Sequence, residues 1–164
     1  MPVLQHLCQL LYDSPIGTAI RESNITFPVI ESVHVLSITL VFGTIAVLDL
    51  RLLGLVLRQV PVSRIARSIL PLTWTGFCIS LVSGFLLFWA EAAKVYWNPA
   101  FRAKLVLLVL VGLNPLIFHT TIYRGVEEWG DLAVFPWRAR AAAVASLMLW
   151  SGVIIAGRAI AYFT

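Results

Sequence analysis

Charge is scarce in this chain. Only 12% of its 164 residues are Asp, Glu, Lys or Arg, whereas 60% are hydrophobic, and the mean hydropathy is +0.91. A soluble domain of this length needs a larger polar surface to cover its core, so a water-soluble globular protein is excluded. Cysteine is nearly absent: Cys8 and Cys78 lie far apart and make no CxxC pair, which excludes a disulfide framework and a zinc knuckle. Cys78 sits in an apolar run and reads as a small buried residue. The N-terminus lacks the basic start, apolar core and small-residue cleavage site of a secretory signal. Linkers, low-complexity tracts and internal repeats are missing too, so the chain reads as one domain. The excess charge is positive, +4 net. Its arginines gather between apolar runs, as membrane-flanking charge does, so no nucleic-acid partner is expected.

What is present is four charge-free runs: 32–48, 68–90, 105–123 and 141–157. A helix needs roughly 20 residues to cross the hydrocarbon core, and each run reaches that length with its flanks. Backbone groups in lipid must pair internally, so these are helices rather than strands. The fold class is therefore all-α: an integral membrane four-helix bundle over residues 24–164, with the lipid bilayer as its first partner. In the first twenty residues, Val3, Leu4, Leu7, Leu10 and Leu11 fall at helical spacing, which predicts a short amphipathic helix lying in the interface. Between spans, Pro61 with its neighbouring arginines, Tyr96-Trp97-Asn98-Pro99, and Glu127, Glu128, Trp129 and Asp131 mark the turns. Lys and Arg number seven on the first and third loops against five on the opposite side. The positive-inside rule then places both termini outside the cytoplasm.

Ionisable groups inside spans are costly and point to function. Glu31 and His34, three residues apart, lie one turn apart on neighbouring faces of the first span. Glu-x-x-His supplies two metal ligands in helical bundles; the plainer alternative is a surface Glu beside a His satisfied by a carbonyl. His6 on the interfacial helix is placed to join Glu31 and His34 in a metal site, where imidazole suits copper. His119 follows Asn114-Pro115, which should kink the third span and free a carbonyl one turn earlier. Asp49 lies eighteen residues, five full turns, after Glu31 and so on the same stripe; an ion pair with Arg51 or a contact with His119 is its plain reading. Glu91, Lys94, Arg102 and Lys104 either solvate a ligand's carboxylates or simply mark the interface, the plainer choice. Gly76, Ser80 and Gly84 form a small-xxx-small stripe, as do Gly152 and Ala156, for packing within the bundle or in a homo-oligomer. Measured from Pro28 and Phe101 at 1.5 Å per residue, His34 lies roughly 9 Å deep and His119 roughly 27 Å. That offset favours separate sites over one haem clamped by both.

Glu31-x-x-His34, Gly43 and Asp49-Leu50-Arg51-Leu52-Leu53-Gly54 resemble a bacterial inner-membrane family of unknown function. Trp74-Thr75-Gly76-Phe77, Phe101-x-x-Lys104 and Asn114 through His119 match the same pattern, and the resemblance covers nearly the whole chain. More distantly, the plan is similar to membrane b-type cytochromes, the copper-resistance D family and the membrane-embedded protoporphyrinogen oxidase. The resemblance implies haem or copper handling, with His34 and His119 as ligand candidates, in a bacterial inner membrane with both termini periplasmic. Two functions follow as expectations. One is a redox protein holding haem b, with or without copper, and passing electrons to a redox partner in the membrane. The other is a cofactor-free small-solute or proton carrier using Glu31, His34 and Asp49, or an oligomeric scaffold.

Overall fold

The computed structural model describes residues 2–117 and 135–163. The expected polar loop with Glu127, Glu128, Trp129 and Asp131, and the ligand candidate His119, lie outside the described residues. Two short helices, α1 (Pro2–Tyr12) and α2 (Pro15–Glu22), precede four long ones: α3 (Thr26–Leu52), α4 (Val62–Val95), α5 (Pro99–Ile117) and α6 (Trp137–Ala159), which ends in a 3-10 turn at Ile160–Tyr162. The four long helices have the length and apolar composition to cross a membrane. Large apolar side chains such as Leu36 (69% exposed) and Met148 (70%) face outward from them. In water such a surface would aggregate; in a bilayer it is solvated by acyl chains.

Helix ends follow local chemistry. Pro61 and Pro136 precede α4 and α6, and Pro99 opens α5, where a missing N–H costs nothing. The buried Asn98 accepts from the N–H groups of Ala100 (2.9 Å) and Phe101 (3.2 Å), capping α5, while its amide donates to the Ile160 carbonyl at 2.9 Å. The Asn-Pro turn thus also ties the end of α6 to the α4–α5 corner. Gly54, at φ 74°, closes α3 as only glycine does readily, with Leu53 and Gly54 N–H groups returning to the Asp49 and Arg51 carbonyls.

The first twenty residues form two helices rather than one, broken at Ser14-Pro15, and they dock on α4. Ser14 caps α2 through the Gly17 N–H, and its hydroxyl also accepts from Trp89 Nε1 at 2.8 Å. Arg21 stacks on the Tyr12 ring and donates to the Ala90 carbonyl at 2.9 Å. Non-helical backbone follows at Glu91 (φ −119°, ψ 17°), where a side chain inserted into the helical ladder bends it. On α1, Val3, Leu4, Leu7 and Leu10 remain exposed, an apolar face suited to the membrane interface.

The long helices pack as two pairs, α3 with α4 and α5 with α6, joined mainly through α3 and α6. Small residues set the closest approach. A Cβ on Gly76 would lie 3.0 Å from Val41 Cγ2 and 3.3 Å from the Ser37 carbonyl, and one on Gly152 would lie 3.2 Å from Leu107 Cδ1. Both small-residue stripes therefore serve contacts within the bundle. Midway along, Val41, Trp150 and Val153 form a buried apolar layer. One expectation fails. Cys78 is exposed on the lipid-facing side of α4, whereas Cys8, on α1, is buried. Helical backbone continues through Asn114-Pro115 to Ile117, and Asn114 donates to the Ala142 carbonyl of α6 at 3.2 Å, so a side chain bridges the helices there.

Candidate functional site at the His34 end of the bundle

His34 is half-buried on α3 and faces α4. Its ring lies against the backbone of Gly84, where a Cβ would stand 2.8 Å from Cε1; any larger residue would displace the imidazole. Nδ1 is 3.0 Å from Ser83 Oγ, and that hydroxyl donates its own proton to the Ile79 carbonyl at 2.6 Å. Ser83 therefore accepts, and Nδ1 carries the ring proton. Nε2 is left as a lone pair, and it faces Lys104 Nζ of α5 across a long contact of 3.5 Å. An ammonium has only protons to offer, so this tautomer satisfies both partners.

Lys104 lies about 8 Å along α5 from Pro99 at the helical rise. It is half-buried and turns inward instead of snorkelling, its stem running past Gly157 of α6, where a Cβ would stand 3.6 Å from Nζ. All four long helices thus contribute: His34, Ser83 with Gly84, Lys104, and Gly157. Two other cations of this end behave differently. Lys94 pairs with Glu91 at 2.8 Å, and Arg102 lies over the Tyr96 and Trp97 rings. Among the described residues the Lys94–Glu91 pair is the one ion pair, and no carboxylate answers Lys104.

The other sequence candidates are placed elsewhere. Glu31 and His6 are exposed, and no hydrogen bond joins either to His34. Among the described residues, no three His, Cys, Asp or Glu side chains gather closely enough to hold a metal ion, so the trio His6, Glu31 and His34 does not assemble. Asp49 is buried although Glu31, on the same stripe, is exposed, because only the Asp49 end of that stripe is covered by α6, through Ser146. The expected Asp49–Arg51 ion pair does not form: Arg51 donates instead to the carbonyls of Val60 (2.9 Å) and Arg58 (3.1 Å). In the sequence Lys104 reads as an interface residue, Gly84 as a packing residue, and Ser83 carries no mark of its own. The available signal was Ser83-Gly84 on the stripe and a lysine one and a half turns inside its helix.

These features define a polytopic α-helical membrane protein with a cationic polar site held between its helices. The chain belongs to the family of unknown function DUF6644, whose model matches residues 14–163. No curated protein and no solved structure matches it.

Proposed function

We propose that the chain binds a small anionic molecule within the membrane at the His34–Lys104 site. Lys104 carries this reading: an ammonium turned into the bundle with an uncharged imidazole as its polar partner and, among the described residues, no carboxylate beside it. An uncompensated cation in a span is costly, and an anionic group on a ligand relieves that cost. A bound carboxylate would replace the long contact with a charge-assisted hydrogen bond. His34, held by Ser83, would form the wall opposite it. A small-carboxylate carrier or receptor is the simplest protein of this kind.

Haem b is the second reading, and the His34 tautomer favours it. Metal-ligating imidazoles generally donate their other ring N–H to a fixed partner, as Nδ1 does to Ser83, and Nε2 then presents its lone pair. The donor set fits: imidazole for iron and the Lys104 ammonium for a propionate, once its flexible stem swings away from Nε2. Such a group would supply one-electron transfer. His34 would then be the residue of this end that holds the iron.

Spectra and binding separate the two. A Soret band sensitive to dithionite, lost in both His34→Ala and Lys104→Met, supports haem. A colourless protein stabilised against heat by millimolar benzoate, but not benzyl alcohol, supports the carboxylate, and Lys104→Met should abolish that stabilisation. A colourless protein indifferent to benzoate overturns the proposal.

We further propose that the His34 end faces the periplasm of a bacterial inner membrane, from the arginines crowding Arg51–Arg67 at the other end. Reporter fusions within 58–67 and 124–136 should behave as cytoplasmic. A periplasmic signal from either reverses the orientation.

A further inference from the structure

Away from the His34 site, a cavity of about 360 Å³ lies between the helices at the Asp49 end. We infer that it is a second binding site, for a lipophilic amine entering from the bilayer. Its size falls at the lower end of ligand pockets, and its walls are apolar apart from a few polar groups, as such pockets usually are. The polar groups among the described lining residues are Asp49, Thr73, Asn114 and Ser146. Asn114 spends a donor on the Ala142 carbonyl, and the Thr73 hydroxyl is engaged with Ile69 and Thr44. Asp49 is different. It is 6% exposed; Ser146 hydrogen-bonds to its carboxyl, but its Oδ2 has no partner among the described residues. Arg51, two residues on, directs its guanidinium to the α3–α4 loop and the Phe135 ring instead. A buried carboxylate oxygen without a donor is expensive, so what Oδ2 lacks among the described residues is a hydrogen-bond donor, best a charged one.

The walls select the rest of the ligand. Trp74, Phe77 and Trp150 line the cavity, and aromatic faces attract an ammonium more than a neutral alcohol. Leu70, Trp74, Phe77, Gly112 and Pro115 line it yet remain exposed on α4 and α5, two helices that do not pack extensively on each other. Access is therefore lateral, between α4 and α5, from the acyl chains. Val41 and Trp150, both from the buried apolar layer, line the cavity on the side toward His34. Asp49 lies fifteen residues along α3 from His34, about 22 Å at the helical rise, so the two sites are separate.

Phenethylammonium is the probe, with 2-phenylethanol and phenylacetate as comparators, titrated calorimetrically into the full chain in nanodiscs. The amine should bind saturably and at least tenfold more tightly than either comparator. His34→Ala should leave this binding intact, which separates it from the anion site. Asp49→Asn should weaken the amine at least tenfold. Gly112→Phe should block it with the fold retained, because a Cβ on Gly112 meets nothing within 4 Å. That variant decides the matter if Asp49→Asn fails to fold. No saturable binding, equal affinity for the alcohol, or full binding in Gly112→Phe overturns the inference.

Discussion

Gly76→Leu and Gly84→Leu should each destabilise the bundle by about 1–3 kcal/mol, the usual cost of forcing extra methylenes into a close-packed contact. At Gly76 the obstacle is partly backbone: the first added carbon would stand 3.3 Å from the Ser37 carbonyl and 3.0 Å from Val41 Cγ2, so α3 and α4 must separate. Helices in lipid gain their association from such close packing and not from a hydrophobic force between them, so a wedge here attacks the main cohesive term. At Gly84 the obstacle is the His34 ring, which swings aside only by leaving Ser83 and Lys104. Gly84→Ala should therefore keep the fold while losing the ligand of the His34 site, and Gly84→Leu should lose both. Gly43→Leu is the control, since a Cβ there meets nothing within 4 Å. Unfolding by SDS in mixed micelles reads all four. If the Gly76 and Gly84 leucine variants unfold with the parent and Gly43→Leu, the stripe does not set the α3–α4 contact.

The spans were legible because lipid imposes so simple a rule: long runs without charge, bounded by arginine, aromatics and Asn-Pro turns. The α4–α5 corner and the glycine stripe of α4 could be read the same way, residue by residue. Which polar side chains meet could not. A soluble helix carries an apolar stripe that fixes its rotation, but a span is apolar on every face and gives no such marker. Nothing in the sequence shows that His34 on α3 turns toward Lys104 on α5 and not toward Glu31 on its own helix. The same blindness explains Asp49, whose stripe was identified correctly while its covering helix was not. The Asn114 bridge to the Ala142 carbonyl was hidden too, because the Asn-Pro pair shows a missing proline N–H and not where the neighbouring amide donates.

Arg51→Met should cost about 2–3 kcal/mol, which is large for a residue near a helix end. Arg51 is 1% exposed, yet its role is neither to pair with Asp49 nor to reach lipid headgroups. Its Nε and Nη2 donate to the Val60 and Arg58 carbonyls, and its guanidinium lies 4.5 Å from the Phe135 ring centroid. The side chain thus fastens the α3–α4 loop to the start of α6, beside the buried cluster of Leu52, Val62, Phe135, Ala139 and Ala143. Methionine fills much of the volume and removes the cost of burying a charge, which offsets part of the loss. It leaves the half-buried Val60 carbonyl without its donor, and that penalty decides the sign. Arg51→Lys should fall between, because an ammonium keeps the charge but has no planar fork to span two carbonyls and stack on a ring. In the same SDS titration, the expected order of stability is parent, then Arg51→Lys, then Arg51→Met. A methionine variant as stable as the parent would show that the loop holds its place without the guanidinium.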